Sequence, residues 1–273
     1  MRKLRGVPCN MSKCTPVVSI IVPAYNAGSL IGLTIDSVIA QSFFNWELIV
    51  VNDCSTDNTA NVVDEYAKRD SRIKLIKLEE NMGAPAGPRN YGVRLAEGQF
   101  VAFLDADDIW HPEKLVTQLK LLEQLRCDLV CSSVLNFYDD TNIQFRPIKN
   151  LNCISISYVR ERFRNQIPTS SVIVKTKLAR QFPFNEAKSY RAVEDYDTWL
   201  RMLESGVICL KIKAPLVMYR KIQGQISGSK LQMAKKVLMV HRNRSAGPSL
   251  ASYLYTFTHL VGAFYSRVLL KRM

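Results

Sequence analysis

Three carboxylates fall within four residues at Asp105-Ala106-Asp107-Asp108, directly behind an apolar run at 100–104. Side chains of a strand alternate faces, so Asp105 and Asp107 at a strand end can point the same way. Like charges this close repel unless a cation or hydrogen-bond donors compensate them. Oxygen ligands without His or Cys favour Mg2+ or Mn2+, which keep water and take up phosphate oxygens. A turn capping a helix that begins near Pro112 would use the same residues. Asp53 closes a second apolar run at 46–51 and reads equally as a ligand carboxylate or as a helix N-cap. Arg89, behind the Gly- and Pro-rich stretch 81–88, is a surface cation or a phosphate clamp. Tyr25 is a packing residue or a stacking surface for a base. A ring platform, a carboxylate, a cation and a metal would together cover the parts of a nucleoside diphosphate.

These residues need a frame. Apolar, β-branched runs predict strands at 17–22 (closed by Pro23), 46–51, 72–78 and 99–104. Ile31, Ile35, Val38 and Ile39 follow the spacing of one buried helix face, and Val62, Val63, Tyr66 and Ala67 form the next stripe. Residues 53–57 are rich in N-cap types. Strand-helix alternation of this kind predicts an α/β fold with right-handed crossovers and a mostly parallel sheet. Ligands of such sheets bind beyond the carboxyl ends of the strands. The chain places polar clusters at 23–26, 52–53 and 105–108 at three of those ends. Beyond 111 the pattern loosens to a helix at 114–125, strands at 128–135, 171–175, 207–212 and 216–219, a helix Glu194–Glu204 and a basic helix Lys230–Arg244. Tyr196, Trp199, Leu200 and Leu203 suit the buried face of the Glu194–Glu204 helix. Glu194 and Asp195 at its start are an ordinary stabilising charge at a helix N-terminus, taken alone.

The segments VSIIVPAYN (18–26), WELIVVNDCSTD (46–57), Asn81 with Gly83 and Arg89-Asn90, and FLDADD (103–108) resemble the inverting glycosyltransferases of family 2 in motif, order and spacing. The match is dense over the first 110 residues and thinner to about 230. The resemblance implies a GT-A fold: a Rossmann-like, mostly parallel sheet flanked by helices, here with a basic, partly helical C-terminal extension. It implies a UDP-sugar donor, with Pro23, Tyr25 and Asp53 on the uridine, and Arg89 and Asp105 fixing the nucleotide. It implies that Asp107 of the DxD motif binds Mn2+ or Mg2+ bridging the diphosphate. Glu194-Asp195 resembles the family's acidic pair, whose second member is the general base; Asp197 is the alternative base. Many relatives carry a His shortly after the Tyr-Arg that matches Tyr219-Arg220. None stands here, so Arg220 or Lys221 is expected to take over its task, and Asp108 is a further candidate beside Asp107. No processive-synthase Gln-x-x-Arg-Trp motif occurs.

Composition sets the outer limits. With 47% hydrophobic residues the chain is not intrinsically disordered, and 12 Gly and 11 Pro exclude collagen-like and low-complexity classes. The seven cysteines form no C-x-x-C pair and no zinc-type spacing, and are read as reduced thiols of a cytosolic protein. No apolar stretch follows the basic N-terminus before Pro16, so no secretory signal is expected, and Met11 is an alternative start. The net charge of +13 is uneven: residues 1–110 carry 11 Lys and Arg against 13 Asp and Glu, whereas no acid follows Glu204 and 12 Lys and Arg do. Residues 245–266 hold no Lys, Arg, Asp or Glu and five Tyr or Phe, within a basic collar. An interfacial helix fits better than a spanning one. The expected organisation is an N-terminal extension (1–16), a nucleotide-sugar-binding half (17–110), an acceptor-binding half (111–228) and a basic, aromatic helical region (229–273) that associates with membrane or packs on the domain. The expected function is metal-dependent, inverting, hexosyltransferase-type transfer of one sugar to a hydroxyl of a polyprenyl-diphosphate-linked saccharide in surface polysaccharide assembly. It would act peripherally at the cytoplasmic face of the inner membrane. Transfer to a polyprenyl phosphate is the alternative within the fold. A basic nucleic-acid- or membrane-binding protein is the alternative outside it, and no nucleic-acid motif supports that one.

Overall fold

The computed structural model describes residues 15–138, 144–148, 151–221, 230–244 and 253–258. Strands β1 (Val18–Ala24), β2 (Trp46–Asn52), β3 (Ile73–Lys77) and β4 (Phe100–Phe103) lie parallel in the order β3-β2-β1-β4. Their near-continuous apolar runs follow from burial on both faces, as parallel sheets require. Val18, Ile20 and Val22 of β1 pack with Ile31, Ile35 and Val38 of helix α1 (Ile31–Ile39) and Val63 of α2 (Thr59–Arg69). Ile21 points the other way, with Ile49 and Val51, towards Val93 of α3 (Ala86–Leu95). Gly92 lets α3 lie this close: a Cβ there would stand 2.5 Å from Ile21 Cγ2.

The chain then extends the same sheet. The following elements are β5 (Ile109–Trp110), α4 (Lys114–Gln124), β6 (Leu129–Phe137), β7 (Cys153–Ile156), α5 (Tyr158–Phe163) and a 3-10 turn, Thr169–Ser171. They lead into β8 (Ile173–Lys175), α6 (Thr176–Gln181), α7 (Glu194–Glu204), β9 (Cys209–Arg220) and α8 (Lys230–Arg244). The order runs β3-β2-β1-β4-β8-β6-β9-β5, with β7 added on β9. β8 is antiparallel to β4 and β6, while β6 and β9 are parallel. Residues 253–258 form a further helical turn.

Several expectations shift. Pro23 does not close β1, which continues to Ala24. The ladder to β4 ends at Ile21↔Phe103, so at Pro23 only the β2 side is paired and the missing N–H is tolerated. Asp53 does not cap α2. That helix starts at Thr59, whose N–H bonds Asp57 Oδ1 at 2.9 Å. Ile39 is 37% exposed, on the outer edge of the α1 stripe. The two strands expected at 207–212 and 216–219 are one strand, β9, whose register against β6 shifts near Ser133, opposite Pro215. The five described cysteines, at 54, 127, 131, 153 and 209, are free thiols. Residues 1–14 of the N-terminal extension, and most of 245–266, lie outside the described residues. No helix among the described residues is long and apolar enough to cross a membrane.

Candidate active site

Because β1, β2 and β4 are parallel, their carboxyl ends share one edge of the sheet. Tyr25 stands just beyond β1, 55% exposed, with its ring open to solvent. Asn26 adopts a left-handed φ of 48° and ties this end to the next loop. Its N–H bonds Ser55 Oγ at 3.0 Å and its Oδ1 accepts from Thr56 N–H at 2.8 Å. Asp53, beyond β2, is 4% exposed. Its Oδ1 accepts the Met82 N–H at 2.8 Å, and Asn81 Nδ2 donates to its carbonyl at 2.8 Å. Gly83, at φ 73°, makes the turn that brings these donors back. Burial raises the Asp53 pKa, and the Met82 and Gly83 N–H groups offset part of that rise. Pro23, Tyr25 and Asp53 thus lie at adjacent strand ends.

The carboxylate loop follows β4. Arg89, on α3 and 4% exposed, donates from Nη2 to Asp105 Oδ1 at 2.5 Å and from Nη1 to Glu194 Oε1 at 3.3 Å. Burial would discharge the guanidinium, but Asp105 and Glu194 outweigh it and hold the pKa above its ordinary value. Arg89 Nε and Glu194 Oε2 are buried without a hydrogen-bond partner. Glu194 and Asp195 open α7, and Asp195 Oδ2 accepts from Thr169 Oγ1 at 2.8 Å. Burial raises the Asp195 pKa, while Arg89, Thr169 and the Tyr196 N–H pull it back and Asp105 adds to the rise. Burial and the neighbouring Asp195 likewise raise Glu194. Phe103, Phe184 and Trp199 pack edge-on beneath this bridge, with Phe103–Phe184 centroids 5.1 Å apart and Phe184–Trp199 centroids 5.7 Å apart.

Asp107 lies two residues beyond Asp105 on the same loop. Burial and the Asp105 carboxylate push its pKa up to about 6, against weaker opposition from Arg220 and Lys221. Asp108 is fully buried, and its Oδ1 accepts the Arg220 N–H at 3.0 Å. Burial, with the Asp105 and Asp107 charges adding to it, raises its pKa well above its ordinary value. Arg220 lies over the Phe137 ring, and its Nε donates to the Asp107 carbonyl at 2.9 Å. Lys221 Nζ sits 4.2 Å from the Tyr219 ring centroid. Among the described residues no three His, Cys, Asp or Glu side chains form a complete metal cage. The donor set is nevertheless the kind a hard divalent cation takes, since Mg2+ and Mn2+ need few carboxylates when water and substrate phosphates complete the shell.

The structure therefore joins Arg89, Asp105, Glu194 and Asp195 in one hydrogen-bonded and electrostatic group. Two residues of it escaped the sequence reading. Thr169 holds Asp195, and Ser170 Oγ accepts the Asp105 N–H at 3.1 Å while its carbonyl accepts Trp110 Nε1–H at 2.8 Å. Their signal was a run of small hydroxyl residues before a strand, Thr169-Ser-Ser171, which has no periodicity to notice. Asp197, the alternative base, is engaged by Arg201 Nε at 2.8 Å.

Comparison with known proteins gives the family and the fold. The family described as "Glycosyl transferase family 2" matches residues 19–186. A putative teichuronic acid biosynthesis glycosyltransferase of Bacillus subtilis, TuaG, is 34% identical over 232 residues, 85% of this chain and 90% of its own. The Escherichia coli UDP-Glc:alpha-D-GlcNAc-diphosphoundecaprenol beta-1,3-glucosyltransferase WfgD is 34% identical over 253 residues, covering 90% of this chain and 92% of its own. The solved structure of Staphylococcus aureus TarS (residues 1–349) with UDP-GlcNAc superposes with a TM-score of 0.69 at 23% identity, over 92% of this chain and 74% of that one. The fold is thus the GT-A arrangement, and the chain belongs to glycosyl transferase family 2.

Proposed function

We propose that this protein is a metal-dependent, inverting glycosyltransferase that moves one sugar from a UDP-sugar to a hydroxyl of a polyprenyl-diphosphate-linked saccharide in surface polysaccharide assembly. One observation carries the reading: Arg89 binds Asp105 at the nucleotide edge and Glu194 beside Asp195 at once. A single buried cation so couples the donor end of the site to the residue best placed to take a proton.

In this reading Tyr25 stacks on the uracil, Pro23 shapes the rim and Asp53 accepts a base N–H. Arg89 and Asp105 orient the nucleotide, and Asp107 holds Mn2+ or Mg2+. That ion supplies charge neutralisation of the leaving diphosphate. Asp195 removes the acceptor hydroxyl's proton as the oxygen attacks the anomeric carbon opposite the departing UDP, which inverts that centre. Thr169 aims its carboxylate. Glu194 balances Arg89, while Asp108 and Arg220 brace the loop that carries Asp107, with Lys221 adding positive potential. The lipid-linked acceptor and work at a membrane surface rest on the uneven charge of the chain and on what the name of the E. coli relative says of that protein.

Calorimetric titration of a UDP-sugar panel, with and without Mn2+, tests the reading. Metal-dependent binding of a UDP-sugar is expected, and Asp107→Ala should weaken metal and donor binding together. If no nucleotide sugar binds under either condition, the reading fails.

A further inference from the structure

We propose that α5 and the helical turn at 253–258 form a docking surface for an anionic lipid bilayer at the acceptor end of the site. The proposal deepens the lipid-linked acceptor reading by naming the face from which such an acceptor would be offered.

The two elements make one surface. The rings of Phe163 and Tyr255 meet edge-on with centroids 4.9 Å apart, and the Arg162 guanidinium lies 3.9 Å over Tyr255. Around that junction large apolar side chains face outward. Val159 is 55% exposed and Phe163 38% on α5, with Tyr253 52%, Leu254 52% and Phe257 62% on the turn. The spacing of 159 and 163, and of 253 or 254 and 257, puts each set on one side of its helix. Five such residues on neighbouring turns form a patch that water does not favour.

The charge around the patch points to one kind of partner. Arg160 and Arg164 are exposed beside Val159 and Phe163. The acid of α5, Glu161, is withdrawn completely, with both carboxylate oxygens turned to the Gln166 N–H. No acidic residue follows Glu204. Exposed aromatic and aliphatic side chains with a purely cationic rim match an interface of acyl chains below and anionic headgroups above. Position supplies the functional link. The Tyr196 phenol oxygen lies 3.3 Å from the carbonyls of Glu161 and Arg162, and Tyr196 follows Asp195. α5 thus packs on the helix that opens with Asp195, on the side of the molecule assigned to the acceptor.

Flotation of the full chain with vesicles, without donor or acceptor, tests the surface. Vesicles of phosphatidylcholine with about a third phosphatidylglycerol should bind the protein about tenfold better than phosphatidylcholine alone. The combined variant Val159→Glu, Leu254→Glu, Phe257→Glu should bind the anionic vesicles about tenfold less or worse. Arg160→Glu with Arg164→Glu should act in the same direction. UDP-sugar affinity should be unchanged in all of them, which certifies their folding. Failure of the wild-type chain to bind anionic vesicles, or equal binding by the triple variant, overturns the proposal. So does a concentration-dependent oligomer that the triple variant abolishes in the absence of vesicle binding, because the patch would then be a protein interface. The acceptor reading is scored separately, by turnover of a short-chain lipid-diphosphate saccharide in detergent. Loss of that turnover with vesicle binding intact removes the acceptor reading alone, and the converse removes the docking surface alone.

Discussion

At the scale of single residues, the proposed mechanism turns on how a carboxylate that burial pushes towards its neutral form is kept available as a base. Burial raises the Asp195 pKa, and Arg89, Thr169 Oγ1 and the Tyr196 N–H each lower it again. In the proposed mechanism Asp195 is then a base of higher proton affinity than a free aspartate. Asp195→Asn keeps the shape and removes the basicity, so transfer should fall by roughly 10²–10⁴-fold with donor affinity within about twofold of the wild type. Unchanged turnover would remove Asp195 from the mechanism. The pH dependence has a definite sign. The base works ionised, so kcat/KM should fall as pH drops through a pKa above the ordinary carboxylate range. Thr169→Val deletes a hydrogen bond that favours the ionised form and should move that acidic limb to higher pH. A limb that stays in place while the rate falls would instead make Thr169 a packing residue only.

At the scale of elements, α5 and α7 are joined through groups that titrate. Glu161 of α5 is fully buried, and burial pushes its pKa up to about 8, opposed by the Gln166 N–H and Lys211, with Asp195 adding to the rise. Between the ordinary carboxylate value and about 8 the folded chain holds a proton that the unfolded chain has released. Stability due to this residue is therefore present below that window and is lost as pH rises through it. Glu161→Gln keeps an acceptor for the Gln166 N–H and cannot ionise, so it should raise Tm at pH 8.5 and leave it nearly unchanged at pH 4.5. An equal shift at both values would show that Glu161 does not titrate on folding. Elements also mark where sequence reading succeeds. β1, β2 and β4 were legible because burial on both faces demands unbroken apolar runs, and α7 because Tyr196, Trp199, Leu200 and Leu203 keep helical spacing and are all buried. β5 escaped because two residues carry no period, and β7 because Cys153–Ile156 is buried only at Ile156 and shows no continuous apolar run; both pair with β9. The same holds in the site. Asp105 and Asp107 announce themselves by spacing, whereas Thr169 reaches Asp195 only because the 3-10 turn Thr169–Ser171 delivers its hydroxyl there.

At the scale of the molecule, the proposed function assigns the two ends of the uneven charge along the chain to the two substrates. At the edge assigned to the donor, Arg89 is held in largely buried ion pairs with Asp105 and Glu194, so distant salt should hardly disturb it. Screening acts on exposed charges and leaves buried pairs nearly untouched. Every Lys, Arg, Asp or Glu position after Glu204 is a Lys or Arg, and charge of that kind attracts an anionic partner over a distance that shrinks as salt rises. The two Michaelis constants should accordingly respond differently to ionic strength. Raising NaCl from about 50 mM to about 500 mM shortens the Debye length from about 14 Å to about 4 Å. The KM for a diphosphate-bearing acceptor should rise several-fold over that range, while the KM for the UDP-sugar changes by less than about twofold. An acceptor analogue with the same sugar on a neutral aglycone should lose the salt response, since only the diphosphate engages the basic half. Equal salt dependence for charged and neutral acceptors would mean that the basic surface serves something other than the acceptor. The division of the molecule into a donor site of largely buried ion pairs and a cationic acceptor half would then have to be abandoned.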